Sequence, residues 1–299
     1  MKKPLLALAA ALGLLSSVAL ANDVTVQSVQ GAQTVPQNPQ RIAVFDFGAL
    51  DTIATLGGNV VALPKATALP AYLNAFAGEQ YRDVGSLKEP NFEVLNEVAP
   101  DLSIISARQA KVEQRFAEIA PVYYSGINIQ QFYPSFQQNV RNIATILNKS
   151  AQADEKLNAL DAQVQAIRAK SQGKTALVLL VNESKLSTYG DASRFGLIFQ
   201  GYGFTPADKN IKASTHGMSV SFEYVLEHNP DYIFVIDRTA AITEKKDNAK
   251  TVLNNDIIKR TKAYQHGHIV YLDAANWYLA MGGLQSMQAM NNEVQAALK

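Results

Sequence analysis

The sequence contains no cysteine, a single tryptophan and only four histidines among its 299 residues. Without cysteine it forms no disulfide, carries no thiol nucleophile and offers no acceptor for a lipid at a processed N-terminus. It also lacks a Gly-x-Ser-x-Gly elbow, a Walker A loop and a His-Glu-x-x-His pair, and no Gly-x-Gly-x-x-Gly follows its first strand-like run. The motifs that expose a serine nucleophile, cradle a nucleotide or hold a catalytic zinc are therefore missing, and the chain reads as a non-enzyme. An excess of one charge is missing too. Its 27 Lys and Arg face 26 Asp and Glu, so no global field draws it to nucleic acid or an anionic bilayer. Any anion it binds must be held by a local cluster.

Long apolar runs are confined to the N-terminus, where Met1-Lys-Lys-Pro4 precedes Leu5 to Leu20 and Ala19-Leu-Ala21 stands before Asn22. A basic head, a short apolar run and small residues at its end describe a secretory signal peptide, cleaved after Ala21. No later run is long enough to span a bilayer. The expectation is a soluble monomer exported to a Gram-negative periplasm, with neither a membrane span nor a nucleic-acid partner.

What is present is a 47% hydrophobic chain with a repeat. The stretch from Asn91 to Arg108 returns as Ser221 to Arg238, and one constant offset aligns Phe92 with Phe222, Glu93 with Glu223, Pro100 with Pro230, Asp101 with Asp231 and Arg108 with Arg238. Each copy predicts a short helix capped by Asn91 or Ser221, a Pro-Asp break, then a strand, Leu102 to Ile105 or Tyr232 to Ile236. Two α/β lobes follow from this, with an arginine just past the carboxyl end of a strand in each, where open α/β sheets bind ligands. Between the copies, Leu157, Leu160, Val164 and Ile167 recur at helical spacing through Ser150 to Ser171. About 22 residues at 1.5 Å each make a rod of roughly 33 Å, enough to cross a small domain.

The fold expected is α/β: two Rossmann-like lobes joined by one long α-helix, with the ligand cleft between them. Residues 22–149 form the first lobe, 150–172 the linker and 173–299 the second. The polar lead-in from Asn22 to Gln40 is expected to be only partly ordered.

Arg108, Arg194 and Arg238 all fall near strand-to-helix transitions. Each alone suits a surface ion pair, and together they suit a multiply charged oxygen anion, because guanidinium is always charged and donates forked hydrogen bonds. His216, in a polar loop, and Tyr278, beside Trp277 in another, carry donors suited to iron(III). His266 and His268 form a His-x-His pair at a turn, and His228 suits the end of a helix.

Three stretches, His216-Gly-Met-Ser-Val-Ser-Phe-Glu-Tyr224, Asn276-Trp-Tyr-Leu-Ala-Met-Gly-Gly283 and Tyr189-Gly-Asp-Ala-Ser-Arg-Phe-Gly196, resemble the periplasmic binding proteins for ferric catecholate siderophores. These serve ABC importers, and their two lobes are joined by a single long helix. The resemblance implies that Arg108, Arg194 and Arg238 contact catecholate oxygens and that His216 and Tyr278 ligate the iron of a two-catechol chelate. It further implies that Glu93 and Glu223 dock one lobe each on the inner-membrane permease; a first-turn glutamate also simply suits the helix dipole. Trp277 is expected in the cleft wall. No intrinsic cofactor is implied, the Fe(III)-catecholate siderophore being the ligand. Haem, a corrin or a hydroxamate chelate on the same scaffold, and zinc carried by His216, His266 and His268, are the rival ligands.

Overall fold

A computed structural model describes residues 22–299 except 213, 215, 244 and 246; the expected leader, 1–21, lies outside the described residues. The lead-in is an ordered antiparallel hairpin of β1 (Asp23–Ser28) and β2 (Gly31–Pro36). Alternation places Val26 and Val35 in the core, and the Gln33 side chain accepts from the Tyr124 backbone N–H at 3.0 Å. The expectation of a partly ordered lead-in is corrected: the two strands pair along their whole length and bury Val26 and Val35, which holds the polar, proline-broken segment in place.

The first sheet is built from β3 (Ile42–Val44), β4 (Val60–Leu63), β5 (Arg82–Asp83), β6 (Leu102–Ile105) and β7 (Val122–Tyr124). All are parallel, in the order β5-β4-β3-β6-β7. Its helices are α1 (Phe47–Leu56), α2 (Phe92–Val98) and α3 (Glu113–Ala117). Asp46 caps α1 by accepting from Ala49 N–H at 2.9 Å, and Gly57 ends it in the left-handed region at φ 86°.

Two longer helices follow, α4 (Phe132–Ile146) and α5 (Ser150–Ser171), separated at Asn148, whose φ is 54°. The second sheet comprises β8 (Thr175–Asn182), β9 (Lys185–Tyr189), β10 (Thr205–Pro206), β11 (Met218–Val220), β12 (Tyr232–Asp237) and β13 (Ile269–Leu272). Its path runs β11-β9-β8-β12-β13, with β10 also pairing β8. β8, β12 and β13 are parallel, whereas β9 returns antiparallel beside β8. Helices α6 (Phe222–His228), α7 (Arg238–Ile242), α8 (Asn248–Leu253), α9 (Lys262–Gln265) and α10 (Leu284–Ala297) complete the chain.

The repeated stretch has the same structure in both copies. Asn91 and Ser221 cap α2 and α6, and Ala99 and Asn229 end them at positive φ, 46° and 39°. The aspartate after each proline then performs one task twice. Asp101 accepts from the Gln40 and Arg41 backbone N–H groups, at the entry to β3. Asp231 accepts from Thr175 N and Oγ1, at the entry to β8. Each carboxylate thus fixes the start of the neighbouring central strand, which explains why the Pro-Asp break recurs.

Strand alternation divides the interior. Ala176, Val178 and Leu180 of β8 enter one large core with Val44, Leu50, Phe136, Leu157 and Met287, while Leu177, Leu179 and Val181 enter a separate core beneath α6 and α8. The large core is continuous between the two sheets, carried by α1, α4, α5 and α10. In α5 the four periodic residues Leu157, Leu160, Val164 and Ile167 are all buried. Midway along it Asp161 accepts from Tyr133 and Gln137 of α4, and near its end Arg168 donates to the carbonyl of Gly201. The long helix therefore packs one buried stripe along the shared core and makes contacts with both halves.

Candidate functional site

The carboxyl ends of β3, β6 and β12 open toward the segment that precedes α10. There the chain forms a wide helical turn, Ala275–Leu279, that presents Tyr278. Arg108 follows β6, Arg194 lies in the turn after β9, and Arg238 is the first residue of α7, capped by Asp237. All three meet at Tyr278. Arg108 and Arg194 donate to its carbonyl oxygen at 3.3 and 2.9 Å, and Arg238 Nε donates to its phenolic oxygen at 2.9 Å.

Other groups aim these cations. Asn182 accepts from Arg238 Nη1 at 2.6 Å, and the Arg194 guanidinium lies 4.6 Å from the centre of the Tyr278 ring and 5.1 Å from that of Phe195. Stacking on an aromatic face holds a guanidinium in place without neutralising it. Burial, then the like charge of Arg108, lowers the pKa of Arg194 below the usual range. Among the described residues neither Arg194 nor Arg238 has a carboxylate in ion-pair range, and Arg108 has only Asp46, at 3.9 Å. The cluster therefore carries positive charge that the described carboxylates do not balance.

Beside the cluster lies a cleft of about 340 Å³. Ile127, Phe132, Leu279 and Met281 make an apolar wall, and Asp46, Arg108 and Arg194 supply charge. Sequence reasoning missed Asp46 and Asn182, although their places at the ends of β3 and β8 are the signal that singled out the arginines.

Trp277 does not line this cleft, contrary to expectation. It is fully buried, its indole N–H donating to Glu293 at 2.9 Å, because adjacent residues of the wide turn face opposite ways. The same hydrogen bond anchors the turn to α10 and leaves Tyr278 facing the arginines. His216 lies outside the cleft lining as well, exposed just before β11. Its neighbour Gly217, at φ 73°, sits against Tyr189, whose hydroxyl pKa is raised by burial against the opposing pull of Arg194. Gly217 thus brings the loop against Tyr189, while the His216 backbone N–H donates to the Ser214 hydroxyl and not to Tyr278.

Two of the three remaining histidines are engaged elsewhere, and His266 is exposed. His268 Nδ1 lies 3.1 Å from the Asp231 carbonyl, with its ring stacked on Tyr232, and His228 Nδ1 lies 2.9 Å from the Tyr224 carbonyl. Among the described residues no group of three or more His, Asp or Glu side chains could hold a metal. Glu93 and Glu223 are exposed at matching positions in the first turns of α2 and α6.

Comparison with known proteins places the chain among relatives of the same fold. A curated relative, the petrobactin-binding protein YclQ of Bacillus subtilis, is 45% identical over 269 residues, covering 89% of this chain and 84% of its own. Its crystal structure superposes with a TM-score of 0.89 at 43% identity, over 93% of this chain and 99% of that one. The periplasmic catecholate-siderophore binding protein VctP of Vibrio cholerae superposes with a TM-score of 0.87 at 33% identity, over 92% and 100%. The family model described as periplasmic binding protein matches residues 42–275, so this chain belongs to the periplasmic binding protein family.

Proposed function

We propose that the protein captures ferric catecholate siderophores in the cleft at Tyr278 and delivers them to an inner-membrane ABC importer. One observation carries the reading: three guanidinium groups from three separate segments converge on a single residue at the mouth of an apolar-walled cleft. Catecholate oxygens around iron(III) present dense negative charge on flat aromatic rings, which suits forked donors beside an apolar wall. The names of the relatives point the same way, one to petrobactin and one to a catecholate siderophore.

In this reading residues 22–149 and 173–299 are the two lobes, 150–172 is the strut between them, and 1–21 is a leader that sends the chain to the periplasm. No described helix is long and apolar enough to cross a membrane. Where a chelator supplies only two catechols, the iron keeps two open positions, and Tyr278 and His216 fill them. Glu93 and Glu223 meet the permease, one from each lobe. Closure is small, because a core continuous from sheet to sheet resists hinge bending.

Titration of the mature protein with the ferric complex of a two-catechol chelator tests the proposal. The expected result is saturable binding with a change in the visible charge-transfer band, absent with the iron-free chelator. Binding of haem or a ferric hydroxamate in preference to every ferric catecholate would overturn it.

A further inference from the structure

Among the described residues that line the cleft, Asp46 carries the sole carboxylate. A negative charge in a pocket for an anion opposes binding, so its presence calls for a reason. Helix capping does not supply one in full. The Oδ1 atom accepts from Ala49 N–H and completes the cap, but the neutral residues Asn91 and Ser221 cap α2 and α6 equally well in this chain. At Asp237, the acidic cap of α7, both oxygens are taken up by backbone N–H groups, those of Ala240 and Ala249. At Asp46 the second oxygen is left over and faces Arg108 Nη1 at 3.9 Å, too far for a tight ion pair and close enough to cancel part of its field.

We propose that Asp46 is a specificity residue that sets the charge of the cleft, narrowing the electrostatic advantage that trianionic ferric complexes hold over those of low negative charge. The inference rests on the function proposed above and refines its substrate class. Two dianionic catecholates around iron(III) leave a monoanion, whereas three leave a trianion. Three guanidinium groups alone would match the trianion. With Asp46 among them the net charge falls by one, and the penalty that Asp46 imposes grows in proportion to the charge of the guest. A monoanion with two open iron positions is also the guest that Tyr278 and His216 can complete.

The test is Asp46→Asn, which keeps the cap and removes the charge. Affinities of wild type and variant are measured at low salt for two ferric probes, the complexes of a synthetic two-catechol and a synthetic three-catechol chelator. For charges roughly 9 Å apart in a water-like dielectric, the substitution tightens the monoanion about 2-fold and the trianion about 8-fold. The logarithms of the two gains should stand near one to three, and both gains should shrink as salt is added. Asp46→Ser, also a capping residue, should repeat the ratio, and an unchanged melting temperature in either variant separates charge from folding. Equal gains for the two probes, no gain, or weaker binding of the trianion would refute this role while leaving the catecholate reading in place. Failure of both complexes to bind wild type would remove both.

Discussion

The Nε–H of Arg238 donates to the phenolic oxygen of Tyr278 at 2.9 Å, while Arg108 and Arg194 share the carbonyl oxygen of the same residue. One tyrosine thereby gathers guanidinium groups from both halves of the molecule. The backbone carbonyl is untouched by side-chain substitution, so its two arginines and the third can be separated experimentally.

Tyr278→Phe should free Arg238 and leave Arg108 and Arg194 in place. It also removes the oxygen proposed to complete the iron shell; taken as a contact to a charged group, about 1.5–3 kcal/mol, its loss should lower affinity for the two-catechol ferric complex roughly 10- to 100-fold. The three-catechol complex, whose iron is already saturated, should lose far less. Parallel absorbance titrations check this, with the shifted charge-transfer band expected only for wild type.

Arg194→Lys should weaken both complexes. Lysine keeps the charge and loses the fork that reaches the Tyr278 carbonyl while stacking on the tyrosine and Phe195 rings. A loss of about 10-fold is expected for each probe, from one charge-assisted contact of about 1.5 kcal/mol. Equal effects on the two probes would distinguish this residue from Tyr278.

Much of this arrangement is legible in the sequence. The duplicated helix, Pro-Asp break and strand predicted β6, β12 and the positions of Arg108 and Arg238, because each depends on local caps and periodicity. Trp277 was misplaced for the opposite reason. Which of two adjacent aromatics faces a cleft depends on the wide turn Ala275–Leu279 and on Glu293 in α10, a partner that local pattern does not reveal. Asp46 was missed because a strand-end aspartate reads as a helix cap, and only the structure shows one of its oxygens facing Arg108. The linker was read from its buried stripe, but the continuous core that stiffens it comes from contacts with α4 and α10 that lie far apart in sequence.

Gly217→Ala tests the position of His216. Its φ of 73° is costly for alanine, and an added Cβ would lie 2.7 Å from the Tyr189 ring and 2.8 Å from the Thr188 carbonyl. The backbone must shift there, carrying the adjacent His216 with it. Binding of the two-catechol complex should weaken about 10-fold, a cost near 1.4 kcal/mol, while the three-catechol complex is little affected. Equal affinities for the two probes in this variant and wild type would count against ligation by His216.

Acid stability should reveal two carboxyl groups of opposite sign. Asp51, buried on α1, accepts from the Gln285 and Ser286 N–H groups at the start of α10 and joins the two halves. Burial raises its pKa above the ordinary 3.8 despite those hydrogen bonds. Its contribution to stability is therefore full below 3.8 and is lost as pH rises through the folded-state value. Asp208 is the reverse case: the Tyr224 hydroxyl, donating at 2.6 Å, lowers its pKa, so its contribution is full above 3.8 and is lost as pH falls through the folded-state value. On acidification from neutral pH, Asp51→Asn should lose stability more steeply than wild type, having given up a compensating gain. Tyr224→Phe should lose it less steeply, starting from a neutral-pH stability lower by about 1 kcal/mol. Urea midpoints across the acid range measure both slopes, and a common slope for the two variants would show that neither carboxyl governs the acid limb.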